Sequence, residues 1–122
     1  MENLISISQQ RTFTIEEARR LLPVIYRITE QYHTEVKMLA NRLKGIREVK
    51  PDLAVQLEGE INSLVEKWNG KVARLGATPK GLWLADFDNG EGYYCWKFPE
   101  NDILHRHAYH EGFSGRVSLT TM

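Results

Sequence analysis

Apolar positions in the first half of the chain recur at alternating intervals of three and four. Leu22, Ile25, Thr29, Tyr32, Val36, Leu39, Leu43 and Ile46 form one series, and Ala54, Leu57, Ile61, Leu64, Trp68 and Leu75 form a second. A period of about 3.5 residues marks helices that meet along a single seam. Thr29 is the polar member of the first series, and Lys71 interrupts the second with Val72 beside it. The stretch "TFTIEEARRLLP" marks a helix start: Thr14 is placed to cap, Glu17 to reach back to the Thr14 amide, and Phe13 to staple the entry. Pro23 lies inside the pattern and predicts a kink near residues 19–23. Asp52 is the expected cap of the second helix and Gly76 its left-handed terminator. The linker "GIREVKP" is short, so the two helices should fold back as an antiparallel hairpin.

From Thr78 the period changes to that of strands. "GLWLADF", "YYCWKF" and "ILHRHA" are short β-prone runs separated by "DNGEG" and "PEND". Asp88, Asn89 and Gly90 suit a tight hairpin, and Pro99 suits the second position of a type I turn. Tyr94, Trp96 and Phe98 should take one face of their strand, and Tyr93, Cys95 and Lys97 the other. The fold expected is a single α+β domain over residues 1–122. In it a long, coiled-coil-like antiparallel helical hairpin (1–76) packs with a three-stranded antiparallel meander and a C-terminal turn (77–122). So small a sheet covers only part of the hairpin, and a homodimer that completes a four-helix bundle is the simplest way to cover the rest.

The totals narrow the partners. In 122 residues, sixteen basic side chains balance sixteen acidic ones, which leaves no long-range field to hold nucleic acid or an anionic membrane. The basic group Arg42, Lys44, Arg47 and Lys50 at the hairpin tip therefore reads as a solvated tip. Cys95 is the single cysteine, so no intrachain disulfide forms and a reducing, cytoplasmic setting is expected. "MENLISISQQ" has no basic segment followed by an apolar run, so no signal peptide is read there.

Candidate chemistry gathers in "HRHAYHEGFSGR", residues 105–116. On a strand, His105 and His107 share a face, and His110 just beyond would complete a three-histidine set for zinc or another transition metal, with Glu111 or Cys95 as a further ligand. The same letters also describe surface histidines and cross-strand packing. A nucleophilic role for Cys95 needs a nearby base or cation, but a small cysteine in a strand is more often buried and inert. "EGFSGR" offers backbone amides and the Arg116 fork to a small anion. As a purely structural turn, it would instead have Phe113 plug the core and Arg116 pair with Asp86 or Glu111.

Together, "FTIEEARRLLP" at 13–23, "ADF" at 85–87, "CWK" at 95–97, His107 and "EGFSGR" at 111–116 resemble the bacterial proteins grouped as domain of unknown function 2203. Asp88 stands where that family's pattern has a proline. The resemblance implies no activity, but it singles out Asp86, Phe87, Cys95, Trp96, His107, Glu111, Gly112, Phe113, Gly115 and Arg116. It does not include His105 or His110. The function expected is a non-enzymatic, homo-oligomeric interaction or scaffold module without a cofactor. The alternative is a metal- or anion-binding enzyme built around His107, Glu111 and Arg116.

Overall fold

A computed structural model describes residues 11–120, so the reading of "MENLISISQQ" as free of a signal lies outside the described residues. Helix α1 spans Ile15–Ile46 (32 residues) and α2 spans Pro51–Arg74 (24 residues). At the start of α1 the expected capping box is complete. The Glu17 amide donates to Thr14 Oγ1 at 3.1 Å, and the Thr14 amide donates to Glu17 Oε1 at 2.8 Å. Phe13 is buried, and its amide donates to the Asp88 carbonyl at 2.7 Å, so the helix entry is tied to the sheet.

α1 continues through Pro23 without interruption. The proline sits on the exposed side of the helix, where water can serve the Arg19 carbonyl that loses its intrahelical donor. Asp52 is not the cap of α2. Lys50 takes that place without a side-chain bond, and Pro51 fills the first turn, where its missing N–H is no loss. Gly76 is left-handed at φ 99°, as its position after the seam implies.

Residues 47–50 join the helices into a hairpin. Thr29 meets Trp68, and Leu43 meets Leu57 and Ala54 nearer the tip, so the two helices run antiparallel. Thr29, the polar misfit of the seam, has a clear reason. Trp68 Nε1 donates to its hydroxyl at 2.8 Å, and both residues are completely buried.

Among the described residues the sheet has five strands where three were expected: β1 (Thr78–Gly81), β2 (Leu84–Asp88), β3 (Tyr93–Lys97), β4 (His105–His107) and β5 (Val117–Ser118). They are antiparallel and lie in sequence order across the sheet. β1 carries Pro79, which is tolerated because β1 is an edge. Pro99 is not at the second position of a type I turn. The Phe98–Pro99 peptide is cis and the Glu100 amide donates to the Lys97 carbonyl at 2.8 Å, which makes Pro99 the third residue of a type VI turn.

Side chains alternate across β2 and β3. Ala85, Phe87 and Trp96 enter the core with Leu22, Ile25, Trp68 and Val72 of the hairpin. Trp83, in the β1–β2 turn, stacks edge-on against Trp68 at 5.2 Å and holds a left-handed φ of 65°, costly for a bulky residue. Arg19 adds a cross-link from α1 to the β3–β4 loop, donating to Asp102 and to the Ile103 carbonyl, each at 3.0 Å.

Thr29→Val keeps the branched shape but strands the indole N–H, and should cost about 1–3 kcal/mol. Urea unfolding would show a lower midpoint at unchanged slope, while Thr29→Ser should stay near wild type.

Candidate metal centre

The other face of the sheet is polar. Register pairs Asp86 with Cys95 across β2 and β3, Cys95 with His105, and Tyr93 with His107 across β3 and β4. With side chains alternating, Asp86, Cys95, His105 and His107 all point away from the helices. Beyond β4 the chain turns back over this face through Glu111, Gly112 and Phe113, which close a cavity of about 170 Å³ with Lys80 and Leu84. Its floor is made by Asp86, Cys95 and His107, all buried, whose donor atoms lie within 4.8 Å of one another.

Proton counting defines the state of this trio. His107 Nδ1 lies 2.9 Å from the Ala108 carbonyl, which only accepts, so Nδ1 carries a hydrogen. Nε2 lies 2.9 Å from Asp86 Oδ2, and one proton between them satisfies both. The pair therefore holds two protons and no net charge, whichever side the shared proton favours. Burial pushes the Asp86 carboxyl above its ordinary value of 3.8, and the His107 ring pulls it partly back. The Cys95 sulfur lies beside this pair, its donor atom within 4.8 Å of theirs. Burial, reinforced by the Asp86 charge, pushes that thiol up to about 12, with Arg116 acting in the opposite direction. Cys95 is thus a protonated thiol near neutrality and not a free nucleophile.

Arg116 pairs with neither Asp86 nor Glu111. Its guanidinium grips Glu100 with both terminal nitrogens, Nη1 at 3.2 Å to Oε1 and Nη2 at 2.9 Å to Oε2, near Cys95. Glu100 Oε1 also accepts the Lys97 amide at 2.9 Å, so the β3–β4 turn fixes Arg116 from beneath. Phe113 does not plug the core. It is 40% exposed at the cavity rim, with Arg116 4.2 Å and Lys97 5.3 Å from its ring centre. Glu111 accepts the Ala108 amide at 2.9 Å, and its carboxylate rests against Gly115, where an added Cβ would stand 2.9 Å from Cδ.

The histidines separate. Among the described residues only His107 joins Asp86 and Cys95; His105 lies toward Glu100, its Nδ1 3.7 Å from Oε2 and without a hydrogen-bond partner among them, and His110 is exposed in the turn. Trp96 belongs to the core face, where its Nε1 donates to the Glu100 carbonyl at 2.6 Å. Lys80 and Glu100 carry no site signal in the sequence: Glu100 lies in the "PEND" turn, and Lys80 stands just before the first β-prone run. Gly92 was also missed. It is buried so close to β4 that an added Cβ would stand 2.6 Å from the His107 carbonyl oxygen.

The family described as "Uncharacterized conserved protein (DUF2203)" has a model that matches residues 11–119. The chain belongs to this family. No curated protein and no solved structure matches it. Of the residues through which the chain resembles DUF2203, those after residue 85 gather about this site: Asp86, Cys95 and His107 form the trio, Glu111, Gly112 and Phe113 cover it, and Arg116 stands near Cys95. Phe87 and Trp96 bear on the same sheet from its core side.

Two outcomes test this electrostatic picture of the DUF2203 site. Cys95 should resist iodoacetamide in the folded protein near neutral pH and react readily once urea unfolds it; equal rates would contradict a buried, protonated thiol. For Asp86, a raised folded value means that its contribution to stability is complete below about 3.8 and is lost as pH rises through the folded value. Asp86→Asn cannot titrate, so it should gain on wild type in urea midpoint as pH climbs from about 4 to 7. A difference between the two that is flat in pH would reverse this assignment.

Proposed function

We propose that this DUF2203 protein binds one divalent transition-metal ion, of the zinc type, through Asp86 carboxylate, Cys95 sulfur and His107 Nε2. The observation that carries the reading is three unlike donors, each buried and mutually within 4.8 Å, at the floor of a cavity. Thiolate, imidazole and carboxylate together suit zinc, cobalt or nickel better than magnesium or calcium. A thiolate and a carboxylate also cancel the charge of a dication, which relieves the burial that pushes both groups above their ordinary values. The Nδ1–H bond of His107 to a backbone carbonyl is the outer-shell contact that orients a metal-binding imidazole. Nitrogen and oxygen donors each about 2.1 Å from a tetrahedral ion would stand about 3.4 Å apart, so His107 Nε2 and Asp86 Oδ2 would need to open by roughly half an ångström from their present hydrogen bond.

Three protein ligands leave a position toward the cavity, the arrangement of a Lewis-acid centre rather than of a closed structural site. With an ion bound, Lys80 and Glu111 at the cavity rim would offer a cation and a carboxylate to a small anion or water entering there. Uptake must free the cysteine proton and the one shared by Asp86 and His107, while Nδ1 keeps its own.

Titration of the untagged protein with cobalt(II) should give one ion per chain, a sulfur-to-metal absorption band and release of about two protons per ion in weak buffer. Cys95→Ser and His107→Ala should each weaken uptake by at least about a hundredfold while far-UV circular dichroism stays unchanged. Wild-type affinity in either folded variant would remove the site.

A further inference from the structure

Tyr26, His33, Ala40 and Arg47 stand seven residues apart and so share one side of α1. The sheet covers the first two: Phe98 lies 5.2 Å from Tyr26 and 4.9 Å from His33, ring centre to ring centre. Ala40 and Arg47 lie farther along, where they border an open hollow of about 540 Å³ with Leu43, Lys44 and Val49. The matching stripe of α2 is Val55, Glu58, Asn62 and Val65, and a 3.5 Å ion pair from Arg47 to Glu58 sets the two stripes side by side. Behind this face the core is thin, with Leu43, Ala54 and Leu57 as its buried members. Val49 and Val55 are 75% and 67% exposed.

Charge on this outer half is divided by helix. Residues 35–50 carry five basic side chains against two acidic, a net +3; residues 51–66 carry four acidic and no basic, a net −4. A helix dipole accounts for such a bias only within the last or first turn. Lys37, Arg42, Glu60 and Glu66 lie deeper in their helices than that. Among the described residues, Arg47 with Glu58 is the one ion pair between the two limbs.

We propose that a second copy of the chain docks on this face, the basic α1 limb of each copy lying along the acidic α2 limb of the other. A two-fold pairing uses every complementary contact twice and closes on itself, so one asymmetric stripe pattern satisfies both copies. A different helical partner would need the same two oppositely charged stripes in the same order, which this hairpin already presents. Val49 and Val55 supply apolar anchors beside the hollow, and the thin tip core becomes the middle of a four-helix bundle.

Sedimentation of the full chain at tens of micromolar should give about twice the 14.1 kDa chain mass. Lys37→Glu with Lys44→Glu should raise the dissociation constant on the order of a hundredfold, since each reversal counts twice by symmetry. Mixing that variant with Glu58→Lys plus Glu66→Lys should restore a one-to-one heterodimer. Val55→Asp, at an exposed position in the single chain, should weaken the dimer while leaving circular dichroism unchanged. A monomeric wild type, or a dimer indifferent to both charge reversal and Val55→Asp, would overturn the proposal. None of these readouts depends on metal.

Discussion

The bond from the Trp68 indole to the Thr29 hydroxyl sits where both helices and the sheet come together. A tryptophan fills that junction with a large apolar surface, but its N–H must find an acceptor once water is gone. In an otherwise apolar seam, Thr29 is the smallest change that provides one. The indole then offers its ring to Trp83, whose left-handed backbone is maintained by what its side chain gains there. The Trp83 carbonyl in turn accepts the Phe98 amide at 3.0 Å, so the packing of one indole reaches the far end of β3. The orientation of the sheet on the hairpin, and hence which face looks outward, follows from this chain of contacts.

That outward face is unusual in being polar and yet buried. A small antiparallel sheet normally leaves one face to water. Here the segment after β4 folds back over it, and Asp86, Cys95 and His107 exchange solvent for one another. Burial without full charge compensation is why Asp86 and Cys95 stand above their ordinary values, and it is the same condition that makes a dication welcome. Arg116 offsets only part of that burial at Cys95, because Glu100 holds both of its terminal nitrogens.

How much of this could be read from the letters differs by element. The hairpin was legible because a helical period of about 3.5 repeats often enough over two long segments to show which side is buried. The capping box was legible because its partners are three residues apart. The edge strands were not: β5 has two residues, too few for alternation to appear, and Pro79 disguised β1. The partnership of Asp86 with Cys95 depends on loop length. A two-residue Asn-Gly turn would have set Asp86 against Tyr93, but the loop has four residues, Asn89–Gly92, closed by the Asn89 side chain on the Glu91 and Gly92 amides. His107 was singled out from sequence, yet its two partners come from strands, and His105 and His110, its neighbours in sequence, turn elsewhere. Proximity along the chain misled there: His105 stands directly across from Cys95 but its ring lies toward Glu100, while His107, diagonal to Cys95, reaches Asp86.

Gly92 has no functional group and does not touch the cavity, yet its missing side chain lets the end of β4 lie against the start of β3. A methyl group there would press on the carbonyl of the residue that contributes the imidazole. Random variation at this position would therefore be filtered as severely as variation at the donors themselves. A catalogue of tolerated substitutions would place a chemically silent residue among those that make the site.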